Sequence, residues 1–139
     1  MQVRRILETC LYTDNLNAAA TFYGQVLGLE LYSRVEGRHV LFRCGESMLL
    51  LFNAEATRRA TGEVPTHGTD GAGHVAFAMA PQDVAAWRSH VESENVAIEA
   101  EIAWPGGGHS RYFRDPAGNS VELATLMTWR LPEEEQPAK

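Results

Sequence analysis

The sequence predicts an α+β fold made of two βαβββ modules that form a curved mixed sheet around a cleft. A length of 139 residues with 45% hydrophobic content suits one compact domain, or two packed halves of about 65 residues each. The segment Phe42–Leu50 resembles the segment Phe113–Leu123, which indicates an internal duplication. The order of one strand, one helix and three strands occurs in both halves. Two such half-sheets, each with one face covered by its helix, can enclose a cleft.

The first module is predicted over residues 1–53. An apolar β-rich run comes first, and Asp14 is the expected N-cap of a helix that reaches Leu27. Gly28 ends the helix, because glycine readily adopts the left-handed conformation found after helix C-termini. Alternating patterns then predict three more strands. The four strands are Val3–Thr13, Leu29–Val35, Val40–Cys44 and Ser47–Asn53.

A connector over residues 54–73 separates this module from the second, over residues 74–128, and residues 129–139 are expected to be a mobile tail. The second module begins with the strand His74–Met79, followed by a helix from Pro81 to about Asn95 and the strand Ala97–Ala103. The last two strands flank a turn at Asp115–Asn119. Proline presets the dihedral angle of the turn's second position, and glycine can take the positive φ that closes it.

The composition argues against several classes of partner. The net charge of −6 and the pI near 5.3 disfavour nucleic acid and anionic membranes. No apolar run approaches the roughly 20 residues that span a bilayer, and the amino terminus lacks the apolar core of a signal peptide. Two cysteines give no disulfide framework. We therefore expect a cytoplasmic protein that binds a small molecule.

Three polar residues recur on strand faces opposite the aliphatic face. Glu122 alternates with Val121 and Leu123, while Glu8 and His74 occupy matching positions in the first strands of the two halves. One imidazole and two carboxylates are a suitable donor set for a divalent cation such as Mn, Fe, Ni, Mg or Zn. The alternatives are a solvated face, a structural hydrogen-bonded His74, and an ion pair between Glu8 and an arginine.

The runs Glu8–Leu16, Phe22–Leu29, Gly73–Phe77 and Tyr112–Leu123 resemble the vicinal oxygen chelate superfamily. That group includes glyoxalase I, methylmalonyl-CoA epimerase, fosfomycin-resistance thiol transferases, extradiol dioxygenases and bleomycin-resistance proteins. The resemblance implies paired βαβββ modules, a cleft often built from two chains, and metal ligands at the positions of Glu8, His74 and Glu122.

Two positions depart from the family pattern. Glu8 stands where many relatives have histidine, which disfavours the two-histidine, one-carboxylate set of the dioxygenases. Leu49 is aligned with Glu122 and stands where glyoxalase I has a fourth ligand, which weakens a lactoylglutathione lyase assignment.

Four further residues are candidates for the pocket. Glu122 and Tyr112 are predicted to be catalytic. The resemblance to the fosfomycin-resistance relatives implies that Tyr112 donates a hydrogen bond to substrate, and the alternative is a packed core tyrosine. Cys10 shares the face of Glu8, and the alternative is an inert buried thiol. Arg43 and Arg114 match each other in the repeat and are expected either to bind an anionic substrate or to pair with acids. Besides these four, His67 and His109 are expected in loops that could close over the cleft, and the alternative is that they are solvated loop residues.

The predicted function is a metal-dependent enzyme with isomerase or lyase chemistry on a small carbonyl compound, acting as a homodimer. In such an enzyme the cation stabilises negative charge on chelated substrate oxygens. The alternatives are an extradiol-type dioxygenase and a non-enzymatic module that sequesters a drug or ligand, as bleomycin-resistance proteins do. The substrate, the metal and the pairing of modules within or between chains are left open by the sequence.

Overall fold

The computed structural model describes residues 1–132 and contains two four-stranded mixed sheets. The chain divides into two compact units: Met1–His74 with Asp115–Asn119, and Val75–Arg114 with the residues from Ser120 on. None of the helices in residues 1–132 has the length and apolar character needed to cross a membrane. In chain order the elements are β1 (Glu8–Tyr12), α1 (Leu16–Gln25), β2 (Glu30–Val35), β3 (His39–Cys44), β4 (Ser47–Phe52), α2 (Ala54–Thr57), β5 (His74–Ala78), α3 (Val84–Ser93), β6 (Ala100–Ala103), β7 (His109–Arg114) and β8 (Ser120–Ala124), with 3₁₀ turns at Pro81–Asp83 and Leu126–Trp129.

The first sheet has the strand order β1-β4-β3-β2, and the second has the order β5-β8-β7-β6. In the first, β1 runs parallel to β4, and the other neighbours are antiparallel. The identical order in both sheets confirms the predicted α+β fold of two βαβββ modules. The predicted module boundaries fall next to element ends, because β4 ends at Phe52 and β5 begins at His74.

The core lies against one face of each sheet. In the first unit Tyr23 of α1 is fully buried, and its ring lies 6.0 Å from the ring of Phe42 in β3. In the second, Val121 and Leu123 of β8 and Phe113 of β7 are at most 1% exposed. Neighbouring residues along a strand point to opposite faces of the sheet. The residues next to these buried side chains in the sequence therefore lie on the other face.

Several predicted element bounds are wrong by a few residues. The first strand begins at Glu8 and not at Val3, because its pairing with β4 begins there, while Ile6 is 74% exposed. Asn15 caps α1 in place of Asp14, since the Asn15 side chain accepts the Ala18 N–H at 3.0 Å. The sixth strand begins at Ala100, not Ala97. The mobile tail was expected over residues 129–139. Trp129 belongs to a 3₁₀ turn, and residues 133–139 lie outside the part of the chain that the structure describes.

The repeat alignment that matched Leu49 with Glu122 is also wrong, by one residue. Phe42 pairs with Leu49 in the first hairpin, whereas Phe113 pairs with Val121 in the second. Leu49 therefore corresponds to Val121, and Leu50 corresponds to Glu122. The burial pattern agrees, because Leu49 and Val121 are 2% and 0% exposed. A leucine still occupies the position, so the first sheet offers no carboxylate there.

Candidate functional site

The open face of the first sheet, opposite the buried Leu11, carries the predicted residues Glu8 and Cys10, followed by Tyr12. Glu8 and Cys10 are exposed. The sulfur of Cys10 is nevertheless partly desolvated, which raises the pKa of the thiol, and the negative charge of Glu8 raises it further. The thiol therefore stays protonated near neutral pH, which suits a pocket-lining residue better than a nucleophile.

Arg43 lies on the same open face as Glu8. The strand register aligns Glu8 with Met48 and Met48 with Arg43, so the two charged side chains share one row across β1, β4 and β3. The Arg43 guanidinium lies 4.6 Å from the centre of the Tyr32 ring and 3.9 Å from a carboxylate oxygen of Glu30. It is half exposed, which leaves this cation accessible to an anionic group.

The connector places His67 over the far end of this face. The His67 Nδ1 atom lies 2.6 Å from the Tyr12 hydroxyl, and its ring packs edge-on against Phe52 at 4.9 Å. Tyr12 and Phe52 pair across β1 and β4, so His67 covers one end of the open face. The sequence placed His67 in a loop that could close over a cleft, and no local pattern identified Tyr12 as its partner.

A polar pocket of about 460 Å³ opens beside Tyr12 in the first unit. Arg58 and Asp70 form an ion pair of 2.9 Å at this pocket. The other lining residues include Asp14, Asn53, Glu55, Gly71 and Ala117.

In the second sheet Tyr112 and Glu122 are directly opposite each other on β7 and β8. Burial raises the pKa of the Tyr112 phenol, a hydrogen bond with Glu122 and the charge of Glu122 raise it further, and a hydrogen bond with Ser110 lowers it. Glu122 is only 7% exposed. The structure thus brings together the two residues predicted to be catalytic, and a phenol that stays protonated orients the Glu122 carboxylate.

Arg114 forms an ion pair of 2.6 Å with Glu99, which is one of the two roles that the sequence allowed for it. Arg111 was not identified as important from sequence. It is 5% exposed and donates to Glu101 at 2.7 Å and to the backbone oxygen of Val84 at 2.7 Å. These bonds tie β7 to β6 and to the start of α3, so Arg111 supports the strand that carries Tyr112.

His74 is the exposed first residue of β5 and lies on the face opposite the buried Val75. Its strand neighbours β8, which carries Glu122. Within residues 1–132, no group of three or more His, Cys, Asp or Glu side chains is arranged so that it could hold a metal ion. The set of Glu8, His74 and Glu122 stays a prediction, and its donor chemistry fits a divalent cation that prefers oxygen and imidazole ligands.

Residues 5–123 match the model of the Glyoxalase/Bleomycin resistance protein/Dioxygenase superfamily. A lactoylglutathione lyase from Agrobacterium tumefaciens has a crystal structure that is 40% identical to this chain, with a TM-score of 0.90; the match covers 94% of this chain and 100% of that one. None of the curated proteins matches the chain.

Two more distant crystal structures share the fold alone. A glyoxalase/bleomycin resistance protein/dioxygenase from Nocardioides is 24% identical, with a TM-score of 0.72 over 98% of this chain and 92% of that one. A genomically encoded fosfomycin resistance protein from Listeria monocytogenes is 17% identical, with a TM-score of 0.66 over 89% of this chain and 94% of that one.

Proposed function

Because the chain belongs to the glyoxalase/bleomycin resistance protein/dioxygenase superfamily, we propose that it is a metal-dependent isomerase or lyase that acts on a small carbonyl compound. The observation that carries this proposal is the pairing of Tyr112 with Glu122. A nearly buried carboxylate held by a protonated phenol is a suitable group for moving a proton at a bound substrate.

Glu8, His74 and Glu122 are the residues that would hold the cation. The exposure of Glu8 and His74 on the open faces of their strands supports this assignment. Two carboxylates and one neutral imidazole supply a charge of about −2, which brings a divalent ion close to neutrality. A bound cation supplies Lewis-acid stabilisation of the negative charge that develops on chelated substrate oxygens.

We assign the proton transfer to a carboxylate. Glu122 takes a proton from the carbon beside the substrate carbonyl and returns it to the neighbouring position, and Tyr112 keeps the carboxylate oriented during both steps. Glu8 is the second carboxylate of the set and is exposed at the start of β1.

The substrate class is proposed from the lactoylglutathione lyase relative. Lactoylglutathione is a thioester of a 2-hydroxy acid, so the corresponding reaction moves a proton between adjacent carbons of an adduct of a 2-oxoaldehyde and a thiol. The half-exposed Arg43 on the face of Glu8 suits a carboxylate of such a thiol compound. Leu50, at the register position of Glu122, offers no fourth donor, so we propose the class of acyl-thioester and hydroxycarbonyl substrates more broadly.

The test uses protein loaded separately with Mn²⁺, Ni²⁺ and Zn²⁺ in deuterated water. It is incubated with a 2-oxoaldehyde and glutathione, and with small α-hydroxycarbonyl compounds. We expect solvent deuterium at the carbon beside the carbonyl, with the rate dependent on metal and lowered by about 10²-fold or more in Glu122→Gln.

Oxygen uptake is followed in parallel with catechols. Oxygen consumption without deuterium exchange would replace this proposal with the extradiol dioxygenase. Stoichiometric ligand binding with neither reaction would favour a ligand-sequestering module.

A further inference from the structure

We propose that Asn119 is a positioning residue for His74, an inference that rests on the proposed function. Asn119 is 1% exposed and immediately precedes β8, the strand of Glu122. Its side chain makes hydrogen bonds to the backbone of two other residues in the first unit. One is Gly73, which precedes His74, and the other is Tyr12, the last residue of β1, the strand that carries Glu8.

The amide of Asn119 makes hydrogen bonds to three different residues. Its Oδ1 accepts the Gly73 N–H at 2.7 Å, and its Nδ2 donates to the Tyr12 carbonyl oxygen at 3.1 Å. The second Nδ2 proton goes to the Asp115 carboxylate at 2.9 Å. Only one orientation of the amide satisfies these partners, because Gly73 is a donor and the other two are acceptors.

Asp115 holds the Asn119 side chain in this orientation. One carboxylate oxygen accepts the backbone N–H groups of Ala117 and Asn119, each at 2.9 Å. The other oxygen accepts the Tyr23 hydroxyl at 2.8 Å together with Asn119 Nδ2. A carboxylate that is 5% exposed and accepts four hydrogen bonds leaves the turn little freedom to move.

Close packing at Gly73 adds a second constraint on the start of β5. A Cβ atom at Gly73 would lie 2.9 Å from Leu11 Cδ2, nearer than real Cβ contacts come. The chain therefore passes closely between Leu11 and Asn119 just before it reaches His74. A shift of this backbone moves the imidazole directly, and metal sites lose affinity when a supporting group no longer orients a ligand.

The same buried network provides a matched control. Tyr23→Phe removes one hydrogen bond to Asp115 but none of the bonds from Asn119 to Gly73 and Tyr12. Asn119→Ala removes both backbone bonds. If Asn119 only stabilises the folded protein, Asn119→Ala and Tyr23→Phe should change the Mn²⁺ dissociation constant equally, after correction for the difference in their free energies of unfolding.

The experiment measures the Mn²⁺ dissociation constant by electron paramagnetic resonance, together with amide hydrogen exchange at Gly73 and His74. For Asn119→Ala we expect a dissociation constant raised by about 10- to 100-fold and faster exchange at these two amides. For Tyr23→Phe we expect a change in affinity of less than about threefold. Equal effects of the two variants on affinity, or no effect of either, would overturn the proposal.

If Asn119→Ala does not fold, Asn119→Ser replaces it, since the shorter hydroxyl side chain cannot bond to both Gly73 and Tyr12. Wild-type protein that binds no Mn²⁺ would contradict the proposed function instead. In that case amide exchange decides about Asn119: faster exchange confined to Gly73 and His74 supports its positioning role, and unchanged exchange refutes it.

Discussion

At the scale of single residues, the Tyr23 hydroxyl is a buried donor whose loss we expect to change the pH dependence of stability. Burial raises the pKa of Tyr23 in the folded protein far above its usual value, and the charge of Asp115 and the hydrogen bond to it raise it further. An unfolded tyrosine ionises near pH 10, so the folded state retains a proton that the unfolded state releases. The stabilisation is complete below pH 10 and declines as the pH rises above it.

Tyr23→Phe should lower the free energy of unfolding at pH 7 by about 1 to 3 kcal/mol, as expected for a hydrogen bond to a charged group. The difference between the two proteins should shrink by about 1.4 kcal/mol at pH 11, because only the wild type loses the tyrosine contribution. Urea unfolding at both pH values measures this. Tyr12 and Tyr112 are present in both proteins, so they cancel in the comparison. A difference that stays constant or grows with pH would contradict the assignment.

At the scale of secondary-structure elements, the loop before β7 packs tightly against the 3₁₀ turn Leu126–Trp129. A Cβ atom at Gly108 would lie 2.5 Å from the Thr128 backbone nitrogen, whereas one at Gly106 would have no neighbour within 4 Å. Gly108→Ala should therefore cost about 1 to 3 kcal/mol or more through overpacking. Gly106→Ala should stay within about 0.5 kcal/mol of wild type. Thermal unfolding of the two variants compares them, and equal melting temperatures would show that the turn yields without cost.

The order of the elements could be read from the sequence, because glycine and proline mark the turns and the periodicity changes from helix to strand. The left-handed Gly28 after α1 and Gly37 between β2 and β3 are examples. The exact register could not be read. Turn length decides it: four residues lie between the paired Arg43 and Met48, and five lie between the paired Arg114 and Ser120. The repeat alignment missed this difference of one residue and matched Glu122 with Leu49 instead of Leu50.

The site was predictable where it depends on strand alternation and not where it depends on distant contacts. Alternation placed Glu8 and Cys10 on one face of their strand, whereas the pairing of Tyr112 with Glu122 became visible only in the structure. The contacts of Asn119 with Tyr12 and Gly73 join residues 107 and 46 positions apart, and no local pattern encodes them.

At the scale of the whole molecule, we expect a homodimer in which Glu8 of one chain joins His74 and Glu122 of the other. Under that arrangement Glu8→Ala and His74→Ala proteins each lack intact sites, and mixing them with subunit exchange restores metal binding in the mixed dimers. The matched control mixes His74→Ala with Glu122→Gln, where every site keeps a defect because both residues come from the same chain. Restoration in both mixtures, or a monomeric mass at micromolar concentration, would exclude the arrangement.

The metal content of the purified protein tests the central claim most directly. Elemental analysis should find about one divalent ion per chain in the wild type, as one set of three donors implies. Glu46→Gln alters an exposed carboxylate in the turn between β3 and β4 and should retain the ion. Glu122→Gln and His74→Ala should lose it while their circular dichroism spectra stay like that of the wild type. Full metal occupancy in both of these variants would contradict the assignment of Glu8, His74 and Glu122 as the ligands.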